Sequence, residues 1–198
     1  VCKGHGNMSP YGLYRALSVS TNNLTYMAKI DPLVPIEFNV EGGKVNNRSD
    51  HGGQTNMGVT LATWKSQGYD KDGDGDIDAA DLNLINHADV VGLLQTRWNM
   101  WKANSINNQS IANLVVDWVW NSGAWGIKKP QEVLGLTPDG VVGPKTISAI
   151  NTGDQSEVFK KIWLARKKFF DDICKNDHTQ LTFHAGWMNR LNSFKFKA

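Results

Sequence analysis

The apolar residues Val158, Ile162, Ala165, Phe169 and Ile173 recur at steps of three and four between Gln155 and Lys175. That spacing puts all five on one face of a long helix, which the two-residue alternation of a strand cannot do. A long helix with one apolar face needs a surface to cover it. The rest of the chain supplies helices for that purpose. Leu82–Ala103 and Ile111–Asn121 carry similar patterns, Gln131–Ile150 reads as short helix, turn, short helix, and Ala185–Leu191 as a last turn or two. Near the start, Thr21 and Asn22 can cap a short helix through Leu24, Met27 and Ile30. Asp31 before Pro32 is a second start signal, predicting a helix from Pro32 to about Val40 that ends at Gly42 and Gly43. Lys44–Gly58 is rich in Asn and Gly, with Asp50 and Thr55 among them, hence loop or short hairpin. No strand-rich stretch or internal repeat interrupts this reading, and the expected fold class is mainly α. The first 20 residues read as an irregular arm.

Length and composition narrow the choice. At 198 residues the chain can bury one well-formed core, with room for a small second unit. No apolar run approaches the ~18 residues that cross a bilayer, so no membrane span is expected. Cys2 and Cys174 are too few for a disulfide scaffold, and their separation leaves their pairing open. Cys2-Lys3-Gly4-His5 lacks the second ligand pair that zinc needs. Of the eight tryptophans, most are expected in the core and one or two at a groove, where indole faces stack on apolar sugar faces. The net charge of +2 divides into −5 over residues 70–81 and +7 elsewhere. A basic body suits an anionic polymer, but no basic stripe interleaved with aromatics points to nucleic acid.

The acidic stretch is Asp70-Lys71-Asp72-Gly73-Asp74-Gly75-Asp76-Ile77-Asp78-Ala79-Ala80-Asp81. Its carboxylates fall at positions 1, 3, 5, 7, 9 and 12 of a twelve-residue EF-hand loop, with glycine at the sharp turn. A hard Ca²⁺ ion takes about 6–8 oxygens, and alternate carboxylates converge on it only where the chain turns sharply. Asp70, Asp72 and Asp74 are the expected side-chain ligands, Asp76 acts through its carbonyl and Asp78 through water. Asp81 closes the set as a bidentate ligand in place of the usual Glu, as in dockerin-like loops. Against a solvated acidic turn stands the mutual repulsion of six carboxylates without a cation. A single loop is expected to be a structural clip at the entry to the Leu82 helix.

Glu41 stands just before Gly42-Gly43, at the predicted end of a helix. Breaking a glycosidic bond needs a protonated carboxyl beside the leaving oxygen, and partial burial raises a Glu towards neutrality. The negative end of a helix pushes the same way, and the glycines let a polymer approach the backbone. Asp50 lies nine residues on. It can steer water or stabilise an oxocarbenium-like centre, or equally hold the loop through Asx-type bonds. Thr55 is a hydrogen-bonding candidate for substrate, Asp50 or Glu41. Glu37, a turn before Glu41, is expected to face solvent. His51 beside Asp50 has no serine or cysteine motif to complete a triad.

The run Glu41-Gly42-Gly43…Asp50-His51-Gly52-Gly53-Gln54-Thr55-Asn56-Met57-Gly58 resembles the signature of glycoside hydrolase family 108, the lysozyme-like N-acetylmuramidases. Lys44 stands where that family tends to have an aromatic, and the acidic loop is an elaboration after the signature. Val116-Asp117-Trp118-Val119-Trp120-Asn121-Ser122-Gly123 is similar to the family's second helical motif. Gln131–Gly135 and Asp139–Thr146 are similar to the peptidoglycan-binding unit that follows it. The resemblance covers roughly residues 24–192 and implies a lysozyme-like helical fold with a small helical peptidoglycan-binding subdomain. It divides the chain into an arm (1–20), a catalytic region with its calcium loop (21–110), and a peptidoglycan-binding-like region packed on the same core (111–198). It implies cleavage of the bond between N-acetylmuramic acid and N-acetylglucosamine with Glu41 as general acid. Trp118, Asn121 and Ser122 become candidates for the opposite groove wall. The implied partner is the peptidoglycan glycan strand, acted on by a monomer in the periplasm, the cell envelope or outside the cell. Two alternatives remain open: a lytic transglycosylase, and an inactive calcium-dependent wall-binding or secretion-accessory protein.

Overall fold

The computed structural model describes residues 27–40 and 54–198. In chain order these form α1 (Val34–Val40), the two-residue strands β1 (Thr55–Asn56) and β2 (Val59–Thr60), α2 (Leu61–Gln67), α3 (Ala79–Leu84), α4 (His87–Met100), α5 (Gln109–Ser122), α6 (Trp125–Val133), α7 (Pro144–Asn151), α8 (Gln155–Asn176) and α9 (Leu181–Ser193). The mainly α expectation holds, and the one sheet among the described residues is the β1–β2 hairpin.

Helix α5 is the spine. Every residue from Ser110 to Val119 is buried, the mark of a helix surrounded by others. Helices α4, α6 and α8 pack on it, and α9 packs on α8. Gly126 sets the α5–α6 approach: a Cβ there would lie 2.4 Å from the backbone nitrogen of Val119, closer than real atoms come. The main core runs from Trp98 and Trp101 through α5 to Ile162, Phe170 and Leu191. A smaller cluster of Val59, Trp64, Leu82, Ile85, Val90 and Leu93 lies beneath the hairpin, and Trp120 packs against both.

Several elements depart from the sequence reading. Residues 27–29 are not helical. The Ala28 amide donates to the Ile106 carbonyl, and the Gln109 side chain both accepts from the Lys29 amide and donates to the Lys29 carbonyl. These cross-chain bonds take the backbone groups a helix would have used. Leu82–Ala103 is not one helix but α3 and α4. Asn86 accepts from the amides of Ala88 and Asp89, while Asp89 accepts from the Asn86 amide, a capping box that starts a new helix. The last turn or two at Ala185–Leu191 is the full helix α9. The Pro32 start is delayed to Val34, with Pro35 in the first turn, where its missing N–H costs nothing.

Candidate active site and acidic loop

Glu41 and Asp50 lie outside the described residues; α1, which leads to Glu41, lies within them. Its anchor is Glu37. Expected to face solvent, Glu37 is instead buried at 1% exposure, because Arg190 of α9 reaches it through Nη2. The same guanidinium donates from Nε to Asp117 Oδ1 at 2.8 Å. Asp117, wholly buried on α5, also meets Arg166 of α8 at 2.5 Å. Two carboxylates and two guanidiniums from α1, α5, α8 and α9 thus form one buried cluster. Burial opposes the charge on Asp117, but Arg166 and Arg190 outweigh it and hold the carboxyl down at about 2. Burial likewise pushes Arg166 below its ordinary value, against the pull of Asp117.

A pocket of about 240 Å³ opens beside this cluster. Asn121 and Ser122 line it, together with Trp125, Phe169, Phe170 and Trp187, which the groove-wall reading did not include. Trp118 requires a correction: it has no exposed surface, being packed against Phe169 and beneath the Arg166 guanidinium. An indole so enclosed supports the pocket through its neighbours and offers no face to a sugar.

Thr55 pairs with Thr60 across the hairpin, whose turn has Met57 and Gly58 at φ +49° and +76°. Two positive φ values make the tight turn that suits short hairpins, and glycine adopts one of them without strain. The hairpin is bolted to α3: Asn56 donates to the Leu82 carbonyl at 2.8 Å and Gln54 to Asn83 at 3.2 Å.

Helix α3 in turn leaves the acidic loop. Gly75 takes φ +100° at the sharp turn, and Asp70 closes the loop by accepting from the amides of Gly73 and Gly75. Asp78 caps α3. Asp81 is buried and accepts from the amides of Lys71, Asp72 and Asp78; the Asp78 amide contributes most to lowering its pKa. Desolvation by the surrounding loop and the charges of Asp74, Asp81 and Asp70 raise Asp72, while Asp74 above all raises Asp76. Lys71, the loop's lysine, is directed to Asp89 at 2.9 Å and to the Tyr69 hydroxyl, so it does not neutralise the aspartates. These carboxylates make two groups able to hold a metal ion: Asp70, Asp72 and Asp74, and Asp76, Asp78 and Asp81. An oxygen-only, uncompensated donor set fits a hard divalent cation.

Residues 36–123 match the family described as Glycosyl hydrolase 108, and residues 125–192 the one described as Predicted Peptidoglycan domain. The solved structure of Brucella abortus SagA is similar, with 27% identity and a TM-score of 0.70 over 82% of this chain and 89% of that one. A search of curated proteins finds no match. No helix among the described residues is long and apolar enough to cross a membrane. Residues 36–123 thus form a segment that matches glycosyl hydrolase 108 and residues 125–192 one that matches a peptidoglycan domain, the two meeting at Asp117, Arg166 and Arg190.

Proposed function

We propose that this peptidoglycan hydrolase is an N-acetylmuramidase with Glu41 as its general acid. The observation that carries the reading is the Glu41-Gly42-Gly43 run directly after α1, within the segment matched to glycosyl hydrolase 108. Glu41 gives its proton to the bridging oxygen as the bond from the muramic acid C1 breaks. Water adds at C1 and loses a proton to a carboxylate, the role assigned to Asp50. The products are two chain ends, one of them reducing. Thr55, on the hairpin braced by α3, would hydrogen-bond the strand or the catalytic carboxylates. Asn121 and Ser122 bind it from the end of α5. The site of action is the periplasm, the envelope or the exterior, where peptidoglycan is found.

The acidic loop is read as a structural Ca²⁺ site. Asp70, Asp72, Asp74 and Asp81 would ligate through carboxylates, Asp76 through its carbonyl and Asp78 through water. When bound there, a divalent cation would neutralise these carboxylates and so steady α3, which braces the hairpin that carries Thr55.

Clearing of purified peptidoglycan by the wild type and by Glu41→Gln tests the assignment. Activity should fall by at least ~100-fold, the scale of general acid catalysis, and equal clearing by both proteins overturns it. Mass spectrometry of the fragments should find reducing muramic ends; 1,6-anhydro ends would make the enzyme a lytic transglycosylase.

A further inference from the structure

We propose that the pocket between α5, α6, α8 and α9 binds one N-acetylated hexosamine of the glycan strand by its acetamido group. Trp125, Phe169, Phe170 and Trp187 make a continuous aromatic wall, with successive ring centroids 6.2, 6.1 and 5.3 Å apart. Trp125 is 49% exposed at its rim, although burial is the ordinary fate of so large an apolar side chain. An exposed indole backed by three more rings suits the apolar C–H face of a sugar or the methyl of an acetamido group.

The polar side of the pocket selects the ligand further. Arg166 lines it, is wholly buried, and has no acceptor for Nε or Nη2. Buried donors left unmet are costly, so the site gains from an incoming acceptor. That acceptor need not be charged, since Asp117 and Glu37 already balance Arg166 and Arg190. A neutral carbonyl beside a methyl group fits both walls, and the acetamido group supplies both. The volume of about 240 Å³ falls below the ~300 Å³ at which sites for larger ligands begin, so it takes a single ring. Asn121, held through Nδ2 to the Asp117 carbonyl at 2.8 Å, stands at the mouth as a further hydrogen-bonding group.

This inference rests on the peptidoglycan-hydrolase reading, and the experiment separates the two. The full chain carrying Glu41→Gln is titrated calorimetrically with N,N′,N″-triacetylchitotriose and with unacetylated chitotriose. The acetylated trimer should bind and the unacetylated one should not. Trp125→Ala should weaken binding about tenfold, as loss of an aromatic anchor does. Ser122→Trp, which fills the pocket from α5, should abolish it, with unchanged melting temperatures showing both variants folded. Equal binding of the two trimers, no binding of either, or unaltered binding by both folded variants overturns the pocket assignment. Failure of the wild type to clear peptidoglycan while this binding pattern holds would sink the hydrolase reading and leave the pocket standing.

Discussion

Asp117→Asn is the most informative single change for the architecture. The carboxylate lies at zero exposure between two guanidiniums, 2.5 Å from Arg166 Nη1 and 2.6 Å from Arg190 Nη2. Asn keeps its size but removes the charge, and turns a donor amide towards groups that only donate. Two buried cations then share Glu37 alone. Breaking a buried pair in this way costs about 3–5 kcal/mol, a large part of the ~5–15 kcal/mol that holds a domain together. For a chain of this size each kcal/mol moves the melting temperature about 2–4 °C, so a fall of roughly 6–20 °C is expected by circular dichroism. Asp171→Asn is the control: its pairs with Lys167 and His184 are half-exposed, and its loss should cost no more than ~1 kcal/mol. Adding Arg166→Met to Asp117→Asn restores the charge balance, and the double variant should lose at least ~1 kcal/mol less than the summed single losses. A melting temperature for Asp117→Asn within ~2 °C of wild type would refute the reasoning, as would full additivity in the double variant.

Other outcomes follow from the same contacts. Asp117 is held at about 2 against 3.8 when free, which corresponds to roughly 2–3 kcal/mol. A carboxyl depressed in the fold stabilises above its free value, so this contribution is complete above pH 4 and is lost as pH falls towards 2; acid titration of wild type should be steeper there than that of Asp117→Asn. Gly126→Ala forces a Cβ against the α5 backbone and should destabilise by about 1–3 kcal/mol in urea unfolding. Gly92→Ala, which meets nothing within 4 Å on α4, should stabilise by about 0.5–1 kcal/mol. If the acidic loop holds Ca²⁺ at 100 times its dissociation constant, a chelator should remove about 2.7 kcal/mol and lower the melting temperature by about 5–11 °C. Asp74→Asn should shrink that shift, and a chelator without effect on wild type would count against the ion. A chain ending at Gly123 should fail to fold, as shown by a collapsed amide proton spectrum.

What was legible in the sequence was the part written in apolar spacing. Helix α8 was expected at Gln155–Lys175 and spans Gln155–Asn176, because its apolar stripe and Asp154 cap agree. The stripe was nevertheless turned by one position: the buried face includes Val158, Ile162, Arg166, Phe170 and Cys174. Arg166 at its centre breaks an apolar count, yet it sits four residues from Ile162 and four from Phe170, which was the available signal. Helix α9 was shortened for the same reason, since its deepest residues are Arg190 and Leu191. Glu37 was misread because a glutamate's partner 153 residues away leaves no local trace. Asn86 and Asp89, by contrast, spell a capping box in local sequence, masked by the apolar residues that continue on both sides. The aromatic pocket was illegible for another reason: Asn121, Trp125, Phe169 and Trp187 meet only once α5, α6, α8 and α9 have packed.

The buried cluster also changes what the C-terminal segment is for. A wall-binding module on a linker would raise the local concentration of substrate and leave its orientation free. Here the peptidoglycan segment supplies both guanidiniums of the cluster, and the hydrolase segment supplies both carboxylates. The core crosses the same boundary without a gap, from Leu114 and Trp118 to Ile162 and Phe170. Helix α1, which leads to Glu41, is therefore fixed in relation to the aromatic wall on α6, α8 and α9 through Arg190. A sugar held against that wall is held in a set register to α1, and position in a glycosidase counts for as much as acidity: effective molarities of ~10⁵–10⁸ M reward correct geometry. The cost of burying four charges, which a plain apolar core would have avoided, is offset if it locks the aromatic wall and the helix that precedes Glu41 into one body.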